Sequence, residues 1–226
     1  MNRLERLPEE SNRDYAYRTL RTNIMNLTLL PGTPVSEIEL SQILNLSRTP
    51  VREALILLEK EKLIDISPKK KSHVSFIQLQ LAESAIFMQK AVEKQIIHEA
   101  CDKINSKNLS YLEGNLKIQK SLLHQENNHL TFYHLDNMFH ALIYDSVQKK
   151  DVWEAIENMN THYNRLRQFD VKNISLNKVV EQHEILIEII KNKNHDAIKP
   201  FVSEHLGGSL RRIEEVKKEF GAFLKD

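Results

Sequence analysis

A short run of hydroxyl and guanidinium side chains, SRTPVREAL at residues 47–55, could contact DNA. Ser47 is a suitable N-cap, and Pro50 falls in the first turn of the predicted helix, where a missing N–H is tolerated. Hydroxyl and cationic groups at a helix N-terminus suit contacts to phosphates and base edges. The candidate contact residues of this helix are Ser47, Arg48, Thr49 and Arg52.

The histidines form a second group with a definite chemistry. Asp136 and His140 are four residues apart, so on a helix they share one face and both can reach one ion. His183 lies on an otherwise apolar predicted helix, and His205 lies in the segment FVSEHL. Spacing alone leaves two interpretations open, because a lone histidine is more often a hydrogen-bonded core or surface residue than a metal ligand.

The residues upstream of 47–55 predict a helix-turn-helix. Residues 36–44 (SEIELSQIL) form a short predicted helix in which Ser36 is the N-cap and Glu39 completes a capping box. Residues 45–46 then leave room only for a tight turn before the next helix. Taken alone, the 47–55 run also suits a capped surface helix, but the preceding helix and turn favour DNA binding.

The residues downstream predict a wing. Segments 63–66 and 73–76 alternate in polarity as strands do, and between them lies a polar stretch containing three consecutive lysines. Such a hairpin places a basic tip where it can reach phosphates. The wing residues predicted to approach DNA are Lys69, Lys70, Lys71 and His73.

Composition limits the class of protein. Five glycines and six prolines in 226 residues favour a mostly helical chain, and the single cysteine excludes an internal disulfide. The net charge of +1 gives no general attraction to nucleic acid, so DNA affinity must come from local clusters. The sequence shows no membrane-spanning run and no signal peptide, which predicts a soluble, cytoplasmic protein.

The remaining sequence predicts two domains: a winged helix-turn-helix at 1–76 and an all-α six-helix bundle at 77–226 that binds metal and effector and dimerises. A first helix at 14–27 packs beneath the helix-turn-helix. The predicted bundle helices are 79–104, 108–125, 129–147, 150–170, 175–193 and 195–221. The adjacent glycines at 207–208 predict a local bend in the last of them.

Residues 13–76 resemble the GntR family of bacterial transcription regulators, whose winged helix carries a Pro-Gly turn, a Glu-Leu-Ser helix and an Ser-Arg-Thr-Pro-Val-Arg-Glu-Ala-Leu helix. The resemblance implies that Arg48, Thr49 and Arg52 contact operator DNA. Family wings often have glycine at the tip, where this chain has Lys71. A lysine there favours phosphate contacts over close insertion into the minor groove.

The second half resembles the FCD domain of the FadR branch, in its shorter, six-helix VanR-like form. Many such domains hold a divalent metal through Asp-x-x-x-His on one helix and single histidines on two later helices. The resemblance implies a zinc, nickel or manganese site at Asp136, His140, His183 and His205. Three imidazoles and one carboxylate leave coordination positions open for a ligand.

The resemblance also bears on the effector. Gln89 stands where family members often have an arginine, and a neutral amide weakens bidentate recognition of a carboxylate. Three residues of the predicted 150–170 helix, His162, Arg165 and Arg167, are candidate cavity residues, although ordinary surface positions are an equal alternative. The effector-binding candidates are therefore Gln89, His162, Arg165 and Arg167.

We expect a homodimeric regulator, a repressor, that binds a palindromic operator in double-stranded DNA and senses a small metabolite, such as an organic acid. One alternative is a metal-dependent enzyme with an accessory nucleic-acid-binding domain, although no motif supplies a general base or oxyanion donors. The other is a structural nucleoid protein, which would show weak sequence preference and no response to a ligand.

Overall fold

The computed structural model describes residues 1–67, 72–125, 128–170 and 175–226. Contacts divide the chain into two compact units. Unit 1 comprises residues 1–82, 161–169 and 215–226, and unit 2 comprises residues 83–160 and 170–214. Unit 1 thus gathers segments from three parts of the sequence. The predicted domain boundary after residue 76 stays a prediction about independently folding domains.

The helices and strands follow each other in this order: α1 (Asn12–Met25), β1 (Pro34–Val35), α2 (Glu37–Leu44), α3 (Arg48–Lys60), β2 (Ile64–Asp65), β3 (Ser72–Val74), β4 (Ile77–Gln78), α4 (Leu79–Lys103), α5 (Ser106–Leu122), α6 (His129–Ser146), α7 (Lys150–Met159), α8 (Thr161–Phe169), α9 (Leu176–Lys191), α10 (Ile198–His205), α11 (Gly208–Arg211), α12 (Ile213–Phe220) and β5 (Leu224–Lys225). Short 3₁₀ turns span His195–Ala197 and Gly221–Phe223.

Unit 1 contains a winged helix-turn-helix. Helices α1, α2 and α3 pack around one apolar core, to which α1 contributes Leu20 and Ile24. A three-stranded antiparallel sheet, ordered β1-β3-β2, borders this core. The register pairs His73 of β3 with Pro34 on one side and with Asp65 on the other. The N-terminal half of the predicted fold is therefore confirmed.

The turn between α2 and α3 depends on one left-handed residue. Asn45 has φ of +55°, and its N–H returns to the carbonyls of the last turn of α2. Asparagine is the commonest substitute for glycine at this position, because its short side chain tolerates the left-handed region. The tight connection predicted at 45–46 follows from this geometry.

Two distant segments complete unit 1. Strand β5 pairs in parallel with β4, with Ile77 opposite Leu224. Phe169 of α8 stacks on Phe223, with ring centroids 5.2 Å apart. Neither contact has a local signal in the sequence.

Unit 2 is a helical bundle. Helix α5 packs against α6 and α9, and one apolar core runs through these helices and α4. Phe139, Leu112 and Leu186 are fully buried in this core. The helical second half is confirmed, except that the short strands β4 and β5 lie within residues 77–226 and belong to unit 1. In the part of the chain that the structure describes, no helix is long and apolar enough to cross a membrane.

Two of the predicted helices are divided. The 150–170 helix is interrupted at Asn160, between α7 and α8. The 195–221 helix breaks where Leu206 is extended and Gly207 has φ of +84°, which accounts for the bend predicted at 207–208. A Cβ on Gly207 would lie 3.3 Å from the side chain of Ile86, so both conformation and space favour glycine there.

Candidate metal centre and nucleic-acid interface

Helix α3 presents a polar N-terminal end and buries its opposite face. Val51, Ala54 and Leu58 are fully buried in the core of unit 1. The side chains of Arg48 and Arg52 are 66% and 71% exposed. Ser47 is the N-cap residue, and both it and Thr49 are exposed. The structure thus brings the four predicted contact residues of this helix to one accessible end.

A carboxylate on α2 lies beside both arginines of this end. Arg48 Nη2 is 3.7 Å from Glu37 Oε2, and Arg52 Nε is 3.9 Å from Glu37 Oε1. Exposed ion pairs at such distances contribute little to stability. Their effect is to hold the two guanidinium groups near each other, and the carboxylate opposes the approach of a phosphate.

The wing is described only at its base. His73 lies on β3, where its Nε2 is 3.2 Å from Asp65 Oδ2, and its ring meets Phe76 edge-on at 5.7 Å. The tip residues Lys69, Lys70 and Lys71 lie outside the described residues. Their predicted contact with DNA stays a prediction.

The predicted metal ligands converge in unit 2. The candidate ligand atoms of His140, His183 and His205 all lie within 4.8 Å of one another. His205 Nε2 is 3.1 Å from His140 Nε2, and His183 Nε2 is 3.5 Å from Asp136 Oδ1. These four residues come from α6, α9 and α10, and Asp136, His140 and His183 are buried. The cluster therefore depends on the tertiary packing of three helices.

Aromatic stacking restricts the rings. Phe139 stacks on His183 at a centroid distance of 4.2 Å, and Phe201 stacks on His205 at 5.1 Å. Trp153 lies parallel to His140 at 6.1 Å. Rings fixed in this way lose little further freedom when they bind an ion.

Each imidazole of the cluster is held through its Nδ1. The partners are Glu93 Oε1 for His140 at 2.9 Å, Gln119 Oε1 for His183 at 2.8 Å and Gln182 Oε1 for His205 at 3.0 Å. Because these oxygens accept, each Nδ1 donates its proton and each Nε2 keeps a lone pair. Metal-binding histidines are oriented in this way by hydrogen bonds from the ring nitrogen that does not bind the metal.

Glu93 is buried but remains a carboxylate. Burial acts to raise its pKa, but the electrostatic interaction with the adjacent imidazole of His140 and the hydrogen bonds from His140 and Tyr144 outweigh that effect and hold the pKa below its ordinary value. Tyr144 Oη donates to Glu93 Oε2 at 2.8 Å. Burial and this carboxylate raise the pKa of Tyr144, so the phenol stays protonated.

The geometry fits a divalent ion. Two Nε2 lone pairs 3.1 Å apart repel each other unless a cation lies between them. Nitrogens bound to one ion at about 2.0–2.1 Å are separated by about 2.9 Å at right angles and about 3.3 Å in a tetrahedron. The observed separation lies in this range, and imidazole with carboxylate suits zinc, nickel or manganese.

The predicted effector residues fall in different units. Gln89 is buried in unit 2, where its Oε1 accepts a hydrogen bond of 2.7 Å from Asn160 Nδ2. The chain passes from unit 2 to unit 1 after Asn160. Unit 1 therefore contains the other three candidates, His162, Arg165 and the partly buried Arg167. The buried contacts of His162 and Arg165, to Gln78 and Ser75, replace the cavity or surface positions considered from sequence. The effector role of these residues stays a prediction.

Sequence reasoning missed the partners that orient the histidines. Gln119 and Gln182 carry no local signal, because an amide near a histidine in space need not be near it in sequence. Glu93 stands four residues after Gln89 on α4, and this helical spacing is the signal that could have identified it.

Comparison with protein-family models gives two matches. Residues 12–74 match the family described as "Bacterial regulatory proteins, gntR family", and residues 85–208 match the FCD domain. The FCD match alone covers more than half of the chain.

Similar proteins extend over nearly the whole chain. The HTH-type transcriptional repressor RspR of Escherichia coli is 29% identical over 94% of this chain and 93% of its own. An HTH-type transcriptional regulator of Streptomyces ambofaciens is 30% identical over 92% of this chain and 87% of its own. The solved structure of McbR/YncC from E. coli has a TM-score of 0.74 at 17% identity, covering 93% of this chain and 99% of that one, which shows a shared fold.

Proposed function

The chain belongs to the gntR family of bacterial regulatory proteins and carries an FCD domain, and on that premise we propose that it is a metabolite-controlled repressor that binds its operator as a homodimer. Members of this family regulate transcription and are not enzymes. The alternative of a metal-dependent enzyme therefore has no support. As a DNA-binding regulator, the protein would act in the bacterial cytoplasm.

The accessible end of α3 is the observation that carries the DNA-binding proposal. Arg48 and Arg52 can make bidentate contacts to guanine or phosphate, and the Thr49 hydroxyl can both donate and accept. One such helix reads only a few base pairs. A dimer reading two half-sites about one helical turn apart would supply specificity, so we propose a palindromic operator.

We propose that the FCD domain holds one divalent ion through Asp136, His140, His183 and His205. The preset Nε2 lone pairs and the 3.1 Å spacing of two of them support this assignment. When bound, the ion supplies a Lewis-acidic anchor for an oxygen of the effector. The residues of this chain orient the rings, exclude bulk water and keep Glu93 ionised beside His140.

We propose a small organic acid as the effector. Its carboxylate would bind at the open coordination positions of the metal ion, because the ion is a cation. The neighbouring buried amide side chains are neutral and offer no competing charge. Gln89 is already engaged by Asn160 and carries no charge, which disfavours a second carboxylate on the ligand. A monocarboxylic acid therefore fits these neutral surroundings better than a dicarboxylic acid.

The repressor proposal is tested by selecting genomic fragments with the purified protein and footprinting those that bind. Discrete protected sites with two half-sites would support a dimer on a palindrome, and the adjacent genes would indicate the class of effector. Transcription from such a promoter should fall when the protein is added. Binding without sequence preference, with or without added zinc, would contradict the proposal and favour a nucleoid role.

A further inference from the structure

Unit 1 contains a buried arginine that does not come from the helix-turn-helix. Arg165 of α8 is 0% exposed. Its Nη1 donates to the Ser75 carbonyl at 2.9 Å, and its Nη2 donates to Ser75 Oγ at 3.1 Å. Ser75 directly follows the wing strand β3, so this guanidinium fixes the backbone at the base of the wing.

His162 strengthens the same contact from one turn earlier on α8. Its Nδ1 accepts from the Gln78 N–H at 3.0 Å and lies 3.1 Å from Arg165 Nη2. Since both of these neighbours are donors, the ring is neutral at Nδ1; burial and the charge of Arg165 lower the pKa of His162 to about 3. Together, the two side chains hold both ends of the segment 75–78.

The polar partners of Arg165 are neutral. Among the described residues its hydrogen bonds go to Ser75 and its other close polar contact is His162, and burial lowers its pKa to about 10. Burying a cation whose hydrogen-bond partners are neutral is costly, and the charge of the Asp65 carboxylate acts in the opposite direction to burial. The guanidinium instead fixes the orientation of Ser75, because its planar group can donate hydrogen bonds to the carbonyl and the hydroxyl of one residue at the same time.

We propose that Arg165 is a positioning residue for DNA binding: through Ser75 it fixes β3, and with β3 the base of the wing, where His73 lies. The proposal rests on the DNA-binding function of the family and goes beyond it, because α8 lies in the sequence matched by the FCD domain. The helix that orients the wing, α8, begins at Thr161. The preceding residue, Asn160, belongs to unit 2 and donates a hydrogen bond to Gln89.

The test compares Arg165→Met with Lys218→Met, which removes an exposed cation from α12 of the same unit. Operator affinity is measured by fluorescence anisotropy on the selected duplex and on a scrambled one, and amide exchange is followed separately in residues 72–78 and 48–58. We expect Arg165→Met to weaken operator binding about tenfold, because the wing base loses both hydrogen bonds to Arg165 and must then be ordered on binding DNA. Exchange should rise in residues 72–78 only, and Lys218→Met should change neither quantity.

Ser75→Ala provides a second variant in case Arg165→Met does not fold. It removes the acceptor of Arg165 Nη2, and also the hydrogen bond of 2.6 Å that the Ser75 hydroxyl donates to the Lys62 carbonyl, but it keeps the Ser75 carbonyl. We therefore expect the same local rise in exchange with a smaller loss of affinity. Wild-type operator affinity in either folded variant would overturn the proposal. An equal rise of exchange in 48–58 would also overturn it, because it would show general destabilisation. If the wild-type protein itself showed no preference for the selected duplex, the repressor proposal would fail instead.

Discussion

Zinc should stabilise the protein, and the size of the effect should depend on His205. At a free zinc concentration of 100 times Kd, binding adds about 2.7 kcal/mol to the free energy of unfolding. For a chain of this size, each kcal/mol raises Tm by about 2–4 °C, so the expected shift is about 5–11 °C. The wild-type protein, stripped of metal and titrated with zinc chloride, should show this shift by scanning calorimetry.

His205→Ala removes one ligand of the cluster while leaving the Nδ1 contacts of His140 and His183 in place. Substituting a residue that only orients a metal ligand weakens metal binding by up to about a hundredfold, so loss of a direct ligand should weaken zinc binding by at least that factor. The same zinc concentration then equals the new Kd and adds only about 0.4 kcal/mol, or about 1–2 °C. The shift on adding zinc is the quantity to compare, since the substitution also changes the metal-free Tm.

His124→Ala is the matched control, because His124 is exposed and lies outside the cluster. It should keep the full zinc shift, and Asp136→Ala should lose most of it. A full shift in His205→Ala, or no shift in the wild-type protein, would refute the assignment of the cluster as a metal site. Metal content measured after gel filtration should follow the same order.

Three further predictions concern individual side chains. Arg48→Ala should weaken binding to the selected operator by about 1–3 kcal/mol in a titration by anisotropy, and unchanged affinity would exclude that arginine from base contacts. Glu37→Gln should raise affinity for scrambled DNA more than for the operator, because it removes a negative charge between Arg48 and Arg52; a lower affinity for both duplexes would contradict this. His162 has a folded pKa of about 3 against about 6.5 unfolded, so its contribution to stability is complete above pH 6.5 and is lost as the pH falls towards 3. His162→Asn keeps an acceptor for the Gln78 N–H but cannot titrate. Between pH 6.5 and 3, it should reduce the slope of the unfolding free energy against pH by up to about 1.4 kcal/mol per pH unit. An unchanged slope would show that His162 does not titrate in this range.

Local signals predicted most of the elements. Ser36 and Asn45 stand where a helix cap and a tight turn require them, and their effects reach only three or four residues along the chain. Ser47 occupies the N-cap position of α3 as predicted, although its side chain makes no capping hydrogen bond there. The pairing of Asp136 with His140 is likewise a property of one helix. For these features, the sequence and the structure agree.

Non-local packing was not predictable in the same way. The break at Asn160 follows no glycine or proline, and it moves His162 and Arg165 into unit 1, where they hold the segment 75–78. The pairing of Ile77 with Leu224 joins residues that are remote in sequence. Periodicity identifies which face of a helix is apolar, but it does not indicate which distant segment covers that face.

The pairing of β4 with β5 has a consequence for biosynthesis. The DNA-binding unit begins near residue 1, but its last strand is Leu224–Lys225, so the ribosome must first translate all of unit 2. At about 5–20 residues per second, roughly 7–30 s separate the emergence of the two strands. During that interval a nascent chain has its helix-turn-helix sequence but not the segment that closes the unit. Mature DNA-binding activity should therefore appear only after the effector domain has been synthesised.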